Sequence, residues 1–237
     1  SSRFNAAYVR GTPSDDTSQN VLIMRTIVES NKGKENSSSL AFSCKNVRFD
    51  PCIFAAKLSD WIYHGHSEHK HTEGLGCGAT TQDVIKHSEF LTDPIFAAED
   101  IWIKGSRTKA PNGAVMRIAS SGCFAFWDDE IVVKSADAYA RVTHADPRSI
   151  YSSVAAALLI ARYIKWNAGI GEKEEPNIDE ILQFAKKFVP NIEEYEDDVN
   201  FYSNCKTVEE LQLSEYGKIG YTLKTFGSAV WALRYCK

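Results

Sequence analysis

The sequence predicts an all-α domain. Apolar residues recur at helical spacing in one segment after another, Pro and acidic residues stand where such segments begin, and alternating strand patterns are nearly absent. Residues 17–30 form the first pattern, with Val21, Met24, Ile27 and Val28 behind Pro13. Pro51 to His64 form a second, in which Phe54, Leu58 and Ile62 fall at i, i+4 and i+8. Thr80 or Thr81 can cap a third, running through Val84, Ile85 and His87 towards Leu91 and ending before Pro94, because the residue ahead of a proline avoids the helical region. Asp128-Asp129-Glu130 gives an acidic start to a helix carrying Ile131, Val132, Ala136 and Ala140. Asp146-Pro147 opens the next, about 147–166, with Pro at the first helical position. Ile150, Val154, Leu158 and Ala161 keep one of its faces apolar, and its Ala/Leu/Ile content predicts burial on several sides. Further helices are expected at 178–188, 207–213 and about 220–235, and no internal repeat is evident.

The chain has 237 residues, enough for one sizeable core, and no Pro/Gly/Ser-rich linker divides it, so residues 1–237 read as a single domain. Its net charge of −4 argues against a general nucleic-acid binder, whose affinity would come from a basic face. The longest apolar run, Val154 to Ala161, is far too short to span a bilayer, and the first residues carry no charged-then-apolar signal pattern. No membrane partner is expected, the expected location is cytoplasmic, and monomer is the default. Cys44, Cys52, Cys77, Cys123, Cys205 and Cys236 contain no CxxC pair. Reduced thiols are therefore expected, with disulfides open only for a secreted chain. His64, His66, His69 and His71 lie among glycines without helical spacing or a carboxylate set, which reads as a polar loop before a metal site.

Ser14-Asp15-Asp16-Thr17 places four hard oxygen donors in a row at the start of the first helix, a set that suits Mg²⁺ or Mn²⁺. The same residue types are also preferred helix caps, and carboxylates in a first turn favour the helix dipole. From the row alone both readings stand.

Three separated segments fall into a known order. Gly11-Thr-Pro-Ser-Asp-Asp-Thr17, Pro111-Asn-Gly-Ala-Val-Met-Arg-Ile-Ala119 and Ala140-Arg-Val-Thr-His-Ala-Asp-Pro147 resemble the successive motifs of the ADP-ribosylglycohydrolase family, which includes the dinitrogenase-reductase activating glycohydrolase. Gly220 to Ala232 looks like the family's late helix, with its small-residue and Trp pattern. The resemblance extends over essentially the whole chain. It implies an orthogonal multi-helix domain with a central metal and ligand cleft, and two bound divalent ions, Mg²⁺ or Mn²⁺. Ser14, Asp15 and Asp16 match the family's metal ligands, with a serine where threonine is common, and Thr17 is a support. Both hydroxyls present one oxygen donor. Asn112, Gly113 and Ala114 match the loop that cradles ADP-ribose, where small residues let backbone N–H groups approach a diphosphate. An ordinary Pro-Asn-Gly turn is the alternative for that segment taken alone. His144 matches a residue placed beside the ligand's ribose or phosphate. Gly78, in Gly76-Cys-Gly-Ala-Thr80-Thr81, matches a Gly-x-Thr-Thr loop near the substrate entrance, with Cys77 as a departure. Met116 is expected to pack in the core, and Arg117 to hold helices or carboxylates by a salt bridge.

The implied activity is hydrolysis of the glycosidic bond between ADP-ribose and a modified arginine or serine, or a small ADP-ribosyl compound, with metal-oriented substrate and activated water. Asp15 or Asp16 would take a proton, although a metal-bound carboxylate is a weak base. Family members also carry a Gly-Asp-Ala-x-Gly-type helix ahead of the first motif and a Gly-Asp-x-Asp-Thr/Ser segment after the Trp helix. Neither is found within these residues. The acidic run Glu193 to Asp198 reads as a solvated helix face before a substitute for them. The alternative function is a non-catalytic relative that binds ADP-ribose or serves a crystallin-like structural role.

Overall fold

The computed structural model describes residues 13–32, 47–66, 73–74, 76–171 and 173–236. The described residues form α-helices joined by turns and three short 3₁₀ helices, with no strand among them, as an all-α fold requires. The helices are α1 (Asp15–Ser30), α2 (Pro51–His64), α3 (Ala79–Ile85), α4 (Pro94–Lys104), α5 (Ala119–Cys123), α6 (Asp129–Arg141), α7 (Pro147–Asn167), α8 (Ile178–Lys186), α9 (Glu196–Ser203) and α10 (Thr222–Tyr235). No described helix is long and apolar enough to cross a membrane.

Five of the ten described α-helices have a side-chain cap. The side chains of Asp50, Asp93, Asp128, Asp146 and Asn177 accept from backbone N–H groups in the first turns of α2, α4, α6, α7 and α8. Pro stands at the start of α2, α4 and α7, where its fixed φ suits a first helical residue and its missing N–H leaves no donor unpaired.

Three sequence expectations change. The third helix ends at Ile85, and the chain turns through residues 86–93 with His87 N–H donating to Val84 and Phe90 N–H to His87. Pro94, expected only to stop that helix, starts α4 with Asp93 as its cap. A proline disfavours helix before it and favours helix from it, so one residue carries both signals. The helix expected at 207–213 is a single 3₁₀ turn, Glu209–Leu211, in which only Leu211 is buried. One buried side chain does not offset the cost of nucleating a longer helix.

The acidic run spans a 3₁₀ turn, Ile192–Tyr195, and the start of α9, and its carboxylates are exposed, in keeping with a solvated face. Of the histidine loop, His69 and His71 lie outside the described residues, as does Cys44. His64 pairs with Asp60 at 2.9 Å on the surface, and His66 is buried with its ring 6.2 Å from that of Trp61. The described cysteines are all free thiols.

The hub is α7, which packs against α5, α6, α8 and α10. Its Tyr151, Val154, Ala155, Ala157, Leu158 and Ala161 are fully buried, which bears out the expectation of burial on several sides. Its buried serines return their hydroxyls to carbonyls, Ser152 to Arg148 and Ser153 to Ser149 at 2.8 Å, while Ser149 reaches Pro111 at 3.1 Å. Small residues bring the neighbouring backbone close. A Cβ on Gly122 of α5 would lie 2.6 Å from the Ala157 carbonyl oxygen and 2.8 Å from Ile160 Cβ. Against α10, residues 110–112 form a short antiparallel pairing, with Asn112 N–H donating to Gly220 at 2.8 Å and Thr222 N–H to Ala110 at 2.9 Å.

Gly122→Ala is expected to destabilise the protein by about 1–3 kcal/mol, because the carbonyl it meets belongs to a packed helix that cannot yield. Urea denaturation of the two proteins side by side measures it. An unchanged midpoint would contradict the close approach of α5 and α7.

Candidate functional site

Ser14 occupies the N-cap position of α1, and its carbonyl accepts from Ser18 N–H at 2.9 Å, but its side chain makes no cap hydrogen bond. Its hydroxyl is therefore not engaged in capping. Ser14 and Asp16 are exposed and Asp15 is half-buried. Burial, and then the neighbouring Asp16 carboxylate, push the Asp15 carboxyl up to about 6. No ion pair neutralises either aspartate among the described residues. The row is thus a local concentration of negative charge and oxygen donors at a rigid helix start, open to a hard cation.

One turn further along α1, fully buried Gln19 meets Arg117. Arg117 is fully buried too, and every group it contacts is neutral. Nη1 donates to Gln19 Oε1 at 2.8 Å, and Nη2 to the Tyr139 carbonyl at 2.9 Å and to Thr143 Oγ1 at 2.7 Å. The guanidinium lies 5.0 Å above the centre of the Phe54 ring. Arg117 does bridge helices, as the sequence suggested, but through neutral acceptors and not through a carboxylate salt bridge. Burial pulls its pKa down to about 9, so it remains a cation at neutral pH. Cys77, the departure in the entrance loop, has its thiol pushed up to about 11 by burial and then by the nearby Asp15 charge, with Arg117 acting in the opposite direction. It is a protonated thiol, not a poised nucleophile.

Thr143 passes the chain of contacts on to His144. Its Oγ1 lies 2.7 Å from His144 Nδ1, and His144 Nε2 is buried with no hydrogen-bond partner among the described residues. Burial, and then the Arg117 charge, hold the imidazole down at about 3, so it is neutral at physiological pH. The free edge of that ring faces Gly113. A Cβ there would stand 2.9 Å from Cε1 and 3.0 Å from Nε2, and 3.5 Å from Thr81 Oγ1. Glycine at 113 is required by the approach of the histidine.

The fold thus brings Gly113, His144 and Thr81 together, and joins them to the helix of Asp15 and Asp16 through Gln19, Arg117 and Thr143. Asn112 turns the other way, its Nδ2 donating to Thr225 Oγ1 of α10 at 3.1 Å. Ala114 is fully buried, and Met116 is only partly buried, short of the core position expected for it. Gly78 caps α3 with open space where a Cβ would stand.

Beside His144 opens a pocket of about 410 Å³ between α3, α4 and the segments 109–111 and 143–146. Trp102 and Ile101 form an apolar wall, and Lys86, Lys104 and Lys109 stand at its exposed margin. Asp146 does more than cap α7. It accepts from Arg148 Nε and Nη2 at 2.9 and 2.8 Å and from Trp102 Nε1 at 3.1 Å, which fixes the wall. Arg148 in turn stacks 4.4 Å above the ring of Tyr195. None of the lysines, nor Trp102, has a spacing that marks it in the sequence. Gln19 and Thr143 were legible only as neighbours of motif residues.

The sequence profile of the ADP-ribosylglycohydrolase family matches residues 2–237. No curated protein matches the chain significantly, and no solved structure does.

In chelator-treated buffer, Asp15 in the folded protein binds its proton more tightly than the ordinary value of 3.8. That relative stability is present below about pH 4 and is lost as pH rises through about 6. Asp15→Asn is therefore expected to raise the unfolding midpoint at pH 7 and to leave it nearly unchanged at pH 4. Thermal melts at both pH values check it, and an equal shift at both would place the effect elsewhere.

Proposed function

The chain belongs to the ADP-ribosylglycohydrolase family, a family of glycosyl hydrolases, and on that premise we propose that it is a divalent-metal-dependent hydrolase. Its substrate would be the glycosidic bond joining ADP-ribose to an arginine or serine side chain of a modified protein, or to a small ADP-ribosyl compound. The observation that carries this reading is His144, which lines the 410 Å³ pocket and whose Nε2, packed against Gly113, is buried without a hydrogen-bond partner among the described residues. A buried polar group left unpaired signals a missing partner, which here is an oxygen of the ligand. Lys86 and Lys109 at the margin suit an anionic ligand, Lys104 being paired with Asp100, and Trp102 offers an apolar face of the kind a flat ring packs against.

Members of the family are generally metal-dependent. The donor chemistry of Ser14, Asp15 and Asp16 fits one side of such a site. Two adjacent carboxylates without a cation, one held up by the other's charge, gain by binding Mg²⁺ or Mn²⁺. No group of three His, Cys, Asp or Glu converges among the described residues, so water and the substrate's own oxygens would complete the coordination. Two ions remain the expectation from the family. When bound, the metal would orient the sugar oxygens and acidify a water.

The chain's own residues divide the remaining work. His144 and the Asn112-Gly113-Ala114 turn hold the diphosphate and ribose, Gly113 because no side chain intervenes. Thr80 lines the pocket, Thr81 lies beside Gly113, and Gly78 at the start of the same helix belongs to the loop matched to the substrate entrance. Asp15 and Asp16 are the carboxylates able to accept the proton of the attacking water as the bond at the anomeric carbon breaks through an oxocarbenium-like transition state. The net charge of −4 argues against nucleic acid as a partner.

Incubation with ADP-ribosyl-arginine and ADP-ribosyl-serine peptides, followed by chromatography of released ADP-ribose, tests this. Release is expected with Mg²⁺ or Mn²⁺ and is expected to stop with EDTA. Asp16→Asn is expected to lower kcat on the order of a hundredfold or more. Retained ADP-ribose binding with no release at high protein concentration would instead identify a binding or structural relative. Gly113→Ala, which drives a methyl into His144, is expected to weaken ADP-ribose binding by about tenfold or more in calorimetry, with the fold intact by circular dichroism.

A further inference from the structure

The Thr143 hydroxyl has two neighbours and a single hydrogen. Arg117 Nη2, at 2.7 Å, can only donate, so Oγ1 accepts there. The other neighbour, His144 Nδ1 at 2.7 Å, is the one that can receive the hydroxyl hydrogen. If Nδ1 carried the hydrogen instead, Oγ1 would accept twice and leave its own hydrogen without an acceptor at a residue that is 1% exposed.

We propose that Arg117 and Thr143 are positioning residues that fix His144 as the Nε2–H tautomer, making it a one-way donor to an acceptor oxygen of the ligand, phosphate or sugar hydroxyl. The tautomer follows from a relay of fixed polarity. Arg117, anchored to α1 through Gln19 and to α6 through the Tyr139 carbonyl, can only push donors towards Thr143. Thr143 hands its hydrogen to Nδ1, and the imidazole must present its own hydrogen at Nε2, the atom left unpartnered beside Gly113. Burial, and then the same cation two contacts away, oppose protonation of the ring, so the donor is neutral and its strength does not change across physiological pH. Such an atom recognises an oxygen lone pair. It has none of its own to offer a metal ion or a proton. His144 is thereby assigned to binding, not to acid–base chemistry. That Nε2 faces ligand rests on the proposed function, whereas the tautomer itself does not.

Long-range ¹H–¹⁵N correlation spectra of the uniformly labelled protein read the tautomer directly, with His144 assigned by the signals that vanish in His144→Gln. A pyrrole-type nitrogen at Nε2 and a pyridine-type nitrogen at Nδ1 are expected in the ligand-free protein. A protonated Nδ1, or two averaged nitrogens, would overturn the proposal. Thr143→Val is expected to lose the fixed pattern and raise the Kd for ADP-ribose about tenfold, and Thr143→Ser to restore both. A valine variant with the wild-type pattern and affinity would also overturn it. Should that variant not fold, the wild-type spectrum decides alone. Failure of the wild-type protein to bind ADP-ribose would refute the proposed ligand while leaving the tautomer to the spectrum.

Discussion

Arg117 places a charge in the interior with no carboxylate among the described residues to meet it. A buried cation is tolerated only where dipoles replace its hydration, and here three acceptors do so, from Gln19 on α1, Tyr139 at the end of α6 and Thr143 just beyond. They come from two stretches of chain, α1 and the end of α6. Pairing the two terminal nitrogens of one guanidinium therefore fixes these two elements against the segment that carries Arg117, and Phe54 of α2 adds another from the ring side. The positions of the acidic row, of His144 and of the Gly113 turn all depend on that arrangement.

Charge is kept apart in this site more than it is neutralised. Arg117 is paired with neutral oxygens, and Asp15 and Asp16 have no basic partner among the described residues. Were the arginine to bridge the aspartates, the site would be stable and inert, since each ion would have its counter-charge. Left apart, the carboxylates carry no counter-charge among the described residues and the arginine's influence reaches His144. By contrast Asp146 and Arg148 do pair, closely and almost out of solvent, and that pair builds a wall instead of binding anything. The difference between a structural and a functional charge lies in whether its partner is already present.

Close approach of backbone supplies the geometry. At Gly122 and at Gly113 the absent side chain is filled by a neighbour, the Ala157 carbonyl in one case and the His144 ring in the other. The first brings α5 against the hub helix α7. The second brings the His144 ring against a turn. Both arise from the same physical circumstance, that interiors are close-packed and a methyl group has nowhere to go. Around this cluster core packing leaves several buried polar atoms, among them Gln19 Nε2, Arg117 Nε and His144 Nε2, without a partner among the described residues.

Sequence alone determined the helical fold, the hub helix, the acidic row and the motif residues, because hydrophobic period and capping chemistry are local properties written within a few residues. It marked Pro94 as an end and missed that the same residue begins α4, and it extended a helix over 207–213 where only Leu211 finds a core to bury in. It named His144 and Gly113 from their motifs, but could not show that one fills the space the other leaves. Nor could it show that Asn112 turns to α10, that Arg117 finds no carboxylate, or that Trp102 and three lysines from separate segments border one pocket. Those are contacts between residues far apart in the chain, and a side chain's partner is chosen by which helices pack together. The tertiary structure decided them, because only packing determines which buried polar groups meet a partner and which do not.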